Sequence, residues 1–360
     1  MALTTKEKIK RYFLGVITGK KKGICAFLLR GGLLFFALIY GVVLNVWFFL
    51  FRYRLIKAKK SKIKVISVGN ITLGGTGKTP LVEMIARRLI RNNIKTAIIS
   101  RGYKGRKNSA GLFIADEIQT LKNELKQVQV IVDSNRLRAI ARAQDTYSCR
   151  AVVLDDAFGR LEVKKDLDIV CIDSGELFGN GRILPAGILR LPLKFLERAD
   201  VFVLTNIDPA KMNCAEIEIN LRKHNPHAQI YKARHVPSSL TSLQDGAVMD
   251  LTQLRDKKVA LLCGIAKPEN FERTVQQLGA EVSLKFYFPD HHCYRRGELE
   301  NAIDTCRRNS IKYLIITSKD EPKIAAADVL GAKNNKAAIL TLKIKLELVE
   351  DEDKFFNRIC

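Results

Sequence analysis

Residues 65–80, VISVGNITLGGTGKTP, contain the residue types that bind phosphate groups. The glycines allow backbone N–H groups to turn toward phosphate oxygens, Lys78 adds a positive charge beside them, and the Thr79 hydroxyl suits Mg²⁺. The N-terminus of the helix that begins here also attracts anions. Thr72 stands where the full phosphate-loop pattern has its first glycine, so the match is incomplete. The predicted nucleotide-binding residues are Thr72, Gly74, Gly75, Thr76, Gly77, Lys78 and Thr79.

Two adjacent carboxylates follow another apolar run, AVVL, at 151–154. Asp155 and Asp156 would lie at the carboxyl end of a buried strand, which faces the crevice where ligands bind in this class of sheet. They are suited to hold Mg²⁺ directly or through water. An aspartate there more commonly starts a turn or caps a helix, but the preceding phosphate loop favours the metal function.

Val- and Ile-rich runs alternate with helical stretches after residue 62. Most of these runs do not alternate polar with apolar residues, which is typical of strands buried on both faces of a parallel sheet. The sequence predicts a doubly wound, mostly parallel α/β fold like that of phosphate-loop NTPases, with a second, smaller α/β domain. Strands are predicted at 64–68, 96–99, 128–132, 151–154, 168–172, 201–204, 258–263, 282–286 and 313–317, and helices at 79–92, 134–144, 215–223, 268–278 and 298–309.

Three segments follow from this pattern: a basic, apolar membrane anchor at 1–62, a phosphate-loop nucleotide-binding domain at 63–228, and a smaller α/β domain at 229–360. Strand-like segments at 229–235 and 338–348 are predicted to pair as a ribbon joining the two domains. The length of 360 residues agrees with two domains of roughly 150 residues each. The eight cysteines form no CxxC pair, which gives no support to a zinc ribbon and is consistent with a reducing cytosol.

The formal net charge of +24 indicates an anionic partner: nucleic acid, anionic lipid or a phosphorylated substrate. Residues 1–62 contain 14 Lys and Arg but one acidic residue, so over half of the net charge flanks the 21 uncharged residues at 31–51. A nucleic-acid-binding protein more often spreads basic residues over one face of a domain, and no aromatic–basic RNA-binding motif is present. We therefore expect an anionic membrane surface as a partner, and no nucleic acid.

A helix over 31–51 would be about 30 Å long, enough to cross the hydrocarbon core of a bilayer. A cleaved signal peptide is disfavoured, because the run is long and no small-residue cleavage site follows it. A core helix apolar on all sides would need cover on all sides. Membrane association is favoured, with Tyr40 and Trp47 as interfacial residues. Because both flanks are basic, the segment either spans or lies along the cytoplasmic surface.

Further segments match one family, in its order: VGNITLGGTGKTP (68–80), SRGY (100–103), the acidic pair at 116–117, LDDAF (154–158), DLDIVCID (166–173), GNGRILPAGILRLPL (179–193), CGIAKPENF (263–271), FPDHHCY (288–294) and ITSKD (316–320). Together they cover nearly all of 63–320. On these segments the chain resembles the tetraacyldisaccharide 4′-kinase family, the membrane-bound lipid A kinases. The basic, apolar N-terminus is similar to the membrane anchor of that family.

The resemblance implies transfer of the γ-phosphate of ATP to the 4′-hydroxyl of a tetraacylated glucosamine disaccharide 1-phosphate, in lipid A biosynthesis. It implies ATP and Mg²⁺ as cofactors, a glycolipid substrate, and a location at the cytoplasmic face of the bacterial inner membrane. Asp116 falls on the acidic residue that activates the acceptor hydroxyl, and His291 on the histidine that supports it. The implied catalytic residues are Asp116, His291, Lys78 and Asp156, and the implied metal ligands are Thr79, Asp155 and Asp156.

The residues alone leave Asp116 and His291 less distinctive. FPDHHCY places two histidines beside an aspartate, which suits an acid–base unit, but from the residues alone a hydrogen-bonded turn is the favoured explanation. Asp116 alone would be interpreted as a surface acid.

Four positions depart from the family pattern, one of them the conservative replacement of glycine by Ala157. Where the family usually reads Asp-Asp-Gly-Phe-Gln-His, Gly159 and Arg160 stand in place of the glutamine and histidine, and Leu191 stands where the family often has glutamate. Arg160 adds a fixed cation that can contact phosphate, whereas Leu191 removes a candidate metal-site carboxylate.

A membrane-bound GTPase or ATPase switch is the alternative function. Residues 156–159 (DAFG) fit a D-x-x-G pattern, and 205–208 (TNID) are close to the T/N-K-x-D pattern that reads guanine. Asn206 replaces the lysine of that pattern, however. In addition, GNGRILPAGILR and FPDHH have no function in a switch, so the kinase is the favoured interpretation.

Overall fold

The computed structural model describes residues 12, 15–17, 21–101, 125, 127–207, 213–265, 268–290, 292–325 and 337–360, and the backbone alone at 106–107 and 113–114. The chain forms two compact units. The first contains Met1–Arg101, Val128–Arg234 and Leu348–Cys360, and the second contains Gly102–Gln127 and His235–Glu347. The domain boundaries given above stay a prediction.

The described strands are β1 (Lys64–Gly69), β2 (Thr96–Ser100), β3 (Arg106–Lys107), β4 (Phe113–Ile114), β5 (Gln129–Val132), β6 (Ala151–Asp155), β7 (Leu167–Asp173), β8 (Val201–Thr205), β9 (Gln229–Ser242), β10 (Val248–Met249), β11 (Lys258–Cys263), β12 (Glu281–Tyr287), β13 (Tyr313–Thr317) and β14 (Ala338–Leu348). The described helices are α1 (Ile24–Arg52), α2 (Lys78–Arg91), α3 (Arg136–Asp145), α4 (Cys214–His224), α5 (Pro268–Gln277), α6 (Arg296–Arg308), α7 (Glu321–Ala325) and α8 (Glu352–Ile359). Short 3₁₀ helices lie at Leu193–Arg198 and Leu251–Leu254.

The first unit is built on a parallel sheet with the strand order β5-β2-β6-β1-β7-β8-β9. Its central strands are buried along almost their whole length, because apolar residues occupy both faces. β1 lies between β6 and β7, and Val68 pairs with Asp155 on one side and Ile169 on the other. This register places the carboxyl end of β1, where the glycine-rich segment begins, beside the aspartates that end β6.

α1 packs on the first unit through one narrow face. The buried residues on this face are spaced four or seven positions apart, so they lie on one side of the helix: Ala26, Leu33, Ala37, Gly41 and Phe48. Near its start α1 packs on Val16 and Ala186, and near its end the Phe48 ring lies 4.6 Å from that of Phe195. The predicted segment at 31–51 is therefore the larger part of a longer helix.

The other faces of α1 are exposed and apolar. Their large side chains are Ile24, Phe27, Leu28, Leu34, Phe35, Phe36, Leu38, Ile39, Val42, Val43, Val46, Trp47 and Phe49. With 29 residues, α1 has the length and the composition that a membrane-crossing helix needs.

The chain returns to the first unit in its last segment, Leu348–Cys360. α8 packs against α2: the guanidinium carbon of Arg88 lies 4.8 Å above the ring of Phe356. Lys64 Nζ, at the start of β1, donates a hydrogen bond to the Ile359 carbonyl at 2.6 Å. The sequence patterns did not predict α8.

The second unit has the strand order β12-β11-β13-β14-β9, with β10 antiparallel to β9. β11, β12, β13 and β14 run parallel, and two buried apolar clusters fill its core. β9 and β14 are neighbours in the sheet, while the joining function assigned to this ribbon stays a prediction.

The α/β fold class and the N-terminal apolar helix are confirmed. Each strand and helix predicted between residues 63 and 317 is present with ends within two residues of those predicted, except that 229–235 is the start of the longer β9.

Candidate active site

The phosphate-loop segment begins where β1 passes very close to the turn after β6. A β-carbon on Gly69 would lie 2.5 Å from the Phe158 Cβ and 2.6 Å from the Phe158 nitrogen. Only glycine allows two backbones to approach this closely. The approach therefore fixes the start of the loop against the segment that carries the two aspartates.

Hydrogen bonds hold the first part of the loop. The buried Asn70 donates from Nδ2 to the Thr72 carbonyl at 2.9 Å. The Leu73 N–H donates to the Ile188 carbonyl at 2.7 Å. Thr72, which stands at the position of the pattern's first glycine, is 7% exposed and forms a bridge with Leu189. This part of the loop is thus paired with the segment around residue 188.

The glycines lie at the exposed part of the loop. Gly74 and Gly75 are exposed, and φ is 111° at Gly74 and 74° at Gly77, values that side chains disfavour. Thr76 between them is buried, and its carbonyl accepts a hydrogen bond from Thr205 Oγ1 at 3.0 Å. The loop therefore presents backbone to solvent and turns its threonine inward.

α2 begins directly after Gly77, without a side-chain cap among the described residues. The N–H groups of its first turn are therefore left for a bound anion, as in phosphate-binding helices. Lys78 is the first residue of this helix, and Thr79 follows, partly exposed, in the same turn.

The two aspartates occupy different environments. Asp155 ends β6, is 7% exposed and accepts a hydrogen bond from Ser100 Oγ at 3.2 Å. Asp156 has a φ of 52°, an unusual value for a residue with a side chain. Its side chain is 37% exposed and its Oδ1 lies 3.9 Å from Lys78 Nζ. The structure thus brings the lysine of the loop and the second aspartate together.

An arginine clamps the second aspartate to the loop. Arg190 donates from its two terminal nitrogens to Asp156, at 2.6 Å and 2.9 Å. It also donates to Asn70 Oδ1 at 2.5 Å. Its backbone N–H donates to the Ile71 carbonyl at 2.7 Å. The planar guanidinium suits this two-pronged contact in a way that an ammonium does not.

The charges around Asp156 determine its protonation. Burial raises the pKa of the carboxyl, but the hydrogen bonds from Arg190 and the charge of Lys78 outweigh burial and hold this pKa below its ordinary value. For Arg190, burial lowers the pKa of the guanidinium, yet the bond to Asp156 leaves it raised. Asp156 is therefore an ionised, oriented carboxylate at neutral pH.

A second, buried arginine donates hydrogen bonds to the backbone of the segment that carries the two aspartates. Arg136, the first residue of α3, is 2% exposed and donates to the Asp155 carbonyl at 2.9 Å and to the Asp133 carbonyl at 2.6 Å. Burial lowers the pKa of this guanidinium, and the carboxylate of Asp155 opposes that shift. Arg136 adds positive charge behind the aspartates.

A buried ion pair holds the segment after the aspartates. Lys165 Nζ donates to Asp168 Oδ2 at 3.0 Å and to the Phe158 carbonyl at 3.1 Å. Arg198 donates to the same carbonyl at 2.7 Å and stacks over the Phe158 ring at 4.6 Å. Burial lowers the pKa of Lys165 and raises that of Asp168. Two cations, Lys165 and Arg198, thus hold Phe158 two residues beyond Asp156, and Asp168 holds Lys165.

Two of the departures from the family pattern are neighbours. A β-carbon on Gly159 would lie 3.4 Å from Leu191 Cδ1, so the small residue and the apolar residue share one space. Leu191 also packs against the apolar cluster that contains Phe158. Arg160 Nη1 lies 3.8 Å from Glu162 Oε1, so the carboxylate partly neutralises the charge of the guanidinium.

Asp116 and His291 lie outside the described residues. His292, which follows in FPDHHCY, is described in the second unit. Its Nε2 lies 2.9 Å from Glu298 Oε2, and its ring stacks on Phe288 with centroids 4.6 Å apart. His292 is thus held by its own unit.

Sequence reasoning missed three polar residues of this site. Asn70 comes directly before the loop, Arg136 starts a helix, and Arg190 ends GILR at 187–190. Both arginines are charged residues in or beside apolar segments, and this is the only signal that the sequence gives for them. Their local spacing does not indicate a partner that is distant in the chain.

The sequence profile of the family described as LpxK, tetraacyldisaccharide-1-P 4′-kinase, matches residues 29–360. This chain belongs to the tetraacyldisaccharide 4′-kinase family. A tetraacyldisaccharide 4′-kinase of Halothermothrix orenii is 32% identical over 97% of both chains. That of Syntrophus aciditrophicus is 30% identical over 96% of both chains.

A solved structure of the 4′-kinase family is also similar to this chain. It is LpxK from Aquifex aeolicus, described as an "apo" form in complex with ATP, with a TM-score of 0.70 and 27% identity over 92% of this chain and 98% of that one. These likenesses confirm the predicted family, fold class and kinase activity in lipid A biosynthesis. They favour the 4′-kinase over the GTPase switch.

Proposed function

We propose that this kinase transfers the γ-phosphate of ATP to the 4′-hydroxyl of a tetraacylated glucosamine disaccharide 1-phosphate. The observation that carries the proposal is the Lys78–Asp156–Arg190 arrangement at the phosphate loop of a chain that matches the 4′-kinase family over residues 29–360. Phosphoryl transfer depends on positioning and on charge neutralisation, and this arrangement provides both.

The nucleotide phosphates would lie on the loop and the start of α2. Exposed Gly74 and Gly75 and the uncapped first turn supply N–H groups. Lys78 would meet the β- and γ-phosphates. Thr72 and Thr76, both buried, shape the loop from inside.

Thr79, Asp155 and Asp156 would hold Mg²⁺. Their hydroxyl and carboxylate oxygens are the hard donors that Mg²⁺ prefers, and the ionised state of Asp156 suits a cation. When bound, the metal would neutralise charge on the transferred phosphoryl group. Arg190 orients Asp156 and adds a second positive charge at the same place.

Asp116 would accept the proton of the acceptor hydroxyl, and His291 would support it. This assignment rests on the family resemblance. Two described contacts favour His291 over its neighbour: His292 pairs with Glu298 and stacks on Phe288, so its ring is already engaged.

α1 would lie in the cytoplasmic leaflet of the bacterial inner membrane. The folded unit covers one side of α1 along most of its length, from Ala26 near its start to Arg52, which bonds Glu197 at 2.7 Å. A helix covered in this way does not have lipid on all sides, as a lone spanning helix would. Its exposed apolar faces would enter the acyl region, while the basic flanks meet anionic headgroups.

The test of the reaction uses purified protein, ATP, Mg²⁺ and tetraacyldisaccharide 1-phosphate in mixed micelles. The wild type should phosphorylate the lipid, Lys78→Ala should abolish transfer, and the exposed Lys95→Ala should not change it. Asp116→Asn should lower kcat with little change in ATP affinity. GTP hydrolysis that is independent of the lipid would contradict the kinase.

The membrane proposal is tested by sedimentation with vesicles. Changing Lys57, Lys59, Lys60 and Lys62 to glutamine should weaken binding to anionic vesicles and reduce its sensitivity to salt. Equal binding of the wild type to neutral and anionic vesicles would contradict a function for the basic flanks.

A further inference from the structure

A tyrosine of the apolar helix reaches the backbone of the clamping arginine. Tyr40 lies near the middle of α1 and is 38% exposed. Its hydroxyl donates a hydrogen bond to the Arg190 carbonyl at 3.2 Å. A helix that served solely to attach the protein to a membrane would not need a polar contact with a residue of the nucleotide site.

Arg190 is the point at which the loop, the aspartate and α1 meet. Its N–H is bonded to the Ile71 carbonyl, and its guanidinium to Asp156 and Asn70. The Tyr40 hydroxyl satisfies the carbonyl of the same residue. A displacement of the Arg190 backbone would therefore disturb all of these contacts together.

Packing around Tyr40 restricts α1 in the same place. A β-carbon on the neighbouring Gly41 would lie 3.4 Å from Ile183 Cδ1, so the helix approaches this segment closely. About two turns further along the helix, Phe48 belongs to one apolar cluster with Ile71 of the loop and Phe158. The position of α1 and the position of the phosphate loop thus depend on the same apolar cluster.

We propose that Tyr40 is a positioning residue for phosphoryl transfer: it holds the Arg190 backbone, so that α1, seated in the membrane, aligns the clamp on Asp156. The inference deepens the proposed function and rests on it. α1 is then part of the catalytic unit as well as the membrane attachment. Tyr40 itself touches no reacting group.

The test compares Tyr40→Phe with Tyr53→Phe. Both changes remove one hydroxyl, and Tyr53, 63% exposed, follows the end of the same helix. One neutral hydrogen bond corresponds to roughly a 2- to 10-fold change. We expect Tyr40→Phe to lower kcat by about this factor, with KM for the lipid, vesicle binding and thermal midpoint unchanged. Tyr53→Phe should match the wild type.

Replacing Tyr40 by p-aminophenylalanine supplies a rescue. This residue keeps a hydrogen-bond donor on the same ring position, so it should restore most of the rate. A Tyr40→Phe rate equal to that of the wild type would overturn the proposal. So would a loss that p-aminophenylalanine fails to restore, because a property of the hydroxyl other than donation of this hydrogen bond would then be responsible.

Hydrogen exchange tests the contact without reference to turnover. Peptides covering residues 188–193 should exchange faster in Tyr40→Phe than in Tyr53→Phe or the wild type. If the wild type transfers no phosphate to the lipid, the proposed function fails, and the exchange result alone decides whether Tyr40 holds Arg190. Unchanged exchange in that segment would contradict the inference.

Discussion

Arg190→Lys removes the two-pronged contact with Asp156 but keeps a positive charge. An ammonium is a point donor and cannot reproduce the planar fork, so at least one charge-assisted bond is lost. Such a bond contributes about 1.5–3 kcal/mol. Both side chains are about one-third exposed, at 33% and 37%, and solvent reduces the contribution to the lower part of that range. A loss of about 1.5–2 kcal/mol corresponds to roughly a 10- to 30-fold lower rate.

The assay follows transfer of labelled γ-phosphate from ATP to tetraacyldisaccharide 1-phosphate in mixed micelles. We expect kcat/KM for ATP to fall by about 10- to 30-fold and the thermal midpoint to move little, since the site is partly exposed. Arg182→Lys is the matched control, because Arg182 is an exposed arginine in the same segment. An Arg190→Lys rate within twofold of the wild type, or an equal loss in Arg182→Lys, would refute the clamp.

Three further changes test the surroundings of the clamp. Arg190→Met removes a group that lowers the pKa of Asp156, so the acidic limb of the pH–rate profile should move to higher pH; an unmoved limb would show that Asp156 does not control it. Lys165→Met leaves Asp168 buried without its ammonium and should lower the free energy of unfolding by about 3–5 kcal/mol in urea denaturation. Adding Asp168→Leu should recover much of this loss, and no recovery would contradict the ion-pair explanation. Gly69→Ala should destabilise by about 1–3 kcal/mol through collision with Phe158, whereas Gly297→Ala, which meets open space in α6, should not; equal midpoints for the two variants would argue against the close approach.

The fold was largely predictable from the sequence because its central strands are buried on both faces. A strand such as β6 then reads as an uninterrupted apolar run, and helices with one buried face separate such runs. The phosphate loop was predictable for a different reason. Gly77, Lys78 and Thr79 must be contiguous to turn the backbone and start α2, so a short stretch of sequence is enough to recognise the phosphate-binding function.

The clamp was not predictable by the same means. Arg190 meets Asn70 across 120 positions and Asp156 across 34, and no periodicity within either segment encodes such a contact. The Tyr40 contact spans 150 positions, and Tyr40 reads as an interfacial aromatic residue in the sequence. These contacts follow from the strand order, which fixes what the loops between strands can reach.

The packing of α8 on α2 bears on the order of events during protein synthesis. Arg88 cannot meet Phe356, nor Lys64 the Ile359 carbonyl, until the ribosome has made the roughly 270 to 295 residues between them, which takes on the order of 15–60 s. The apolar α1 leaves the ribosome well before that. Under the membrane proposal made above, α1 would therefore be available to the lipid surface before the last helix of the nucleotide-binding unit has been made.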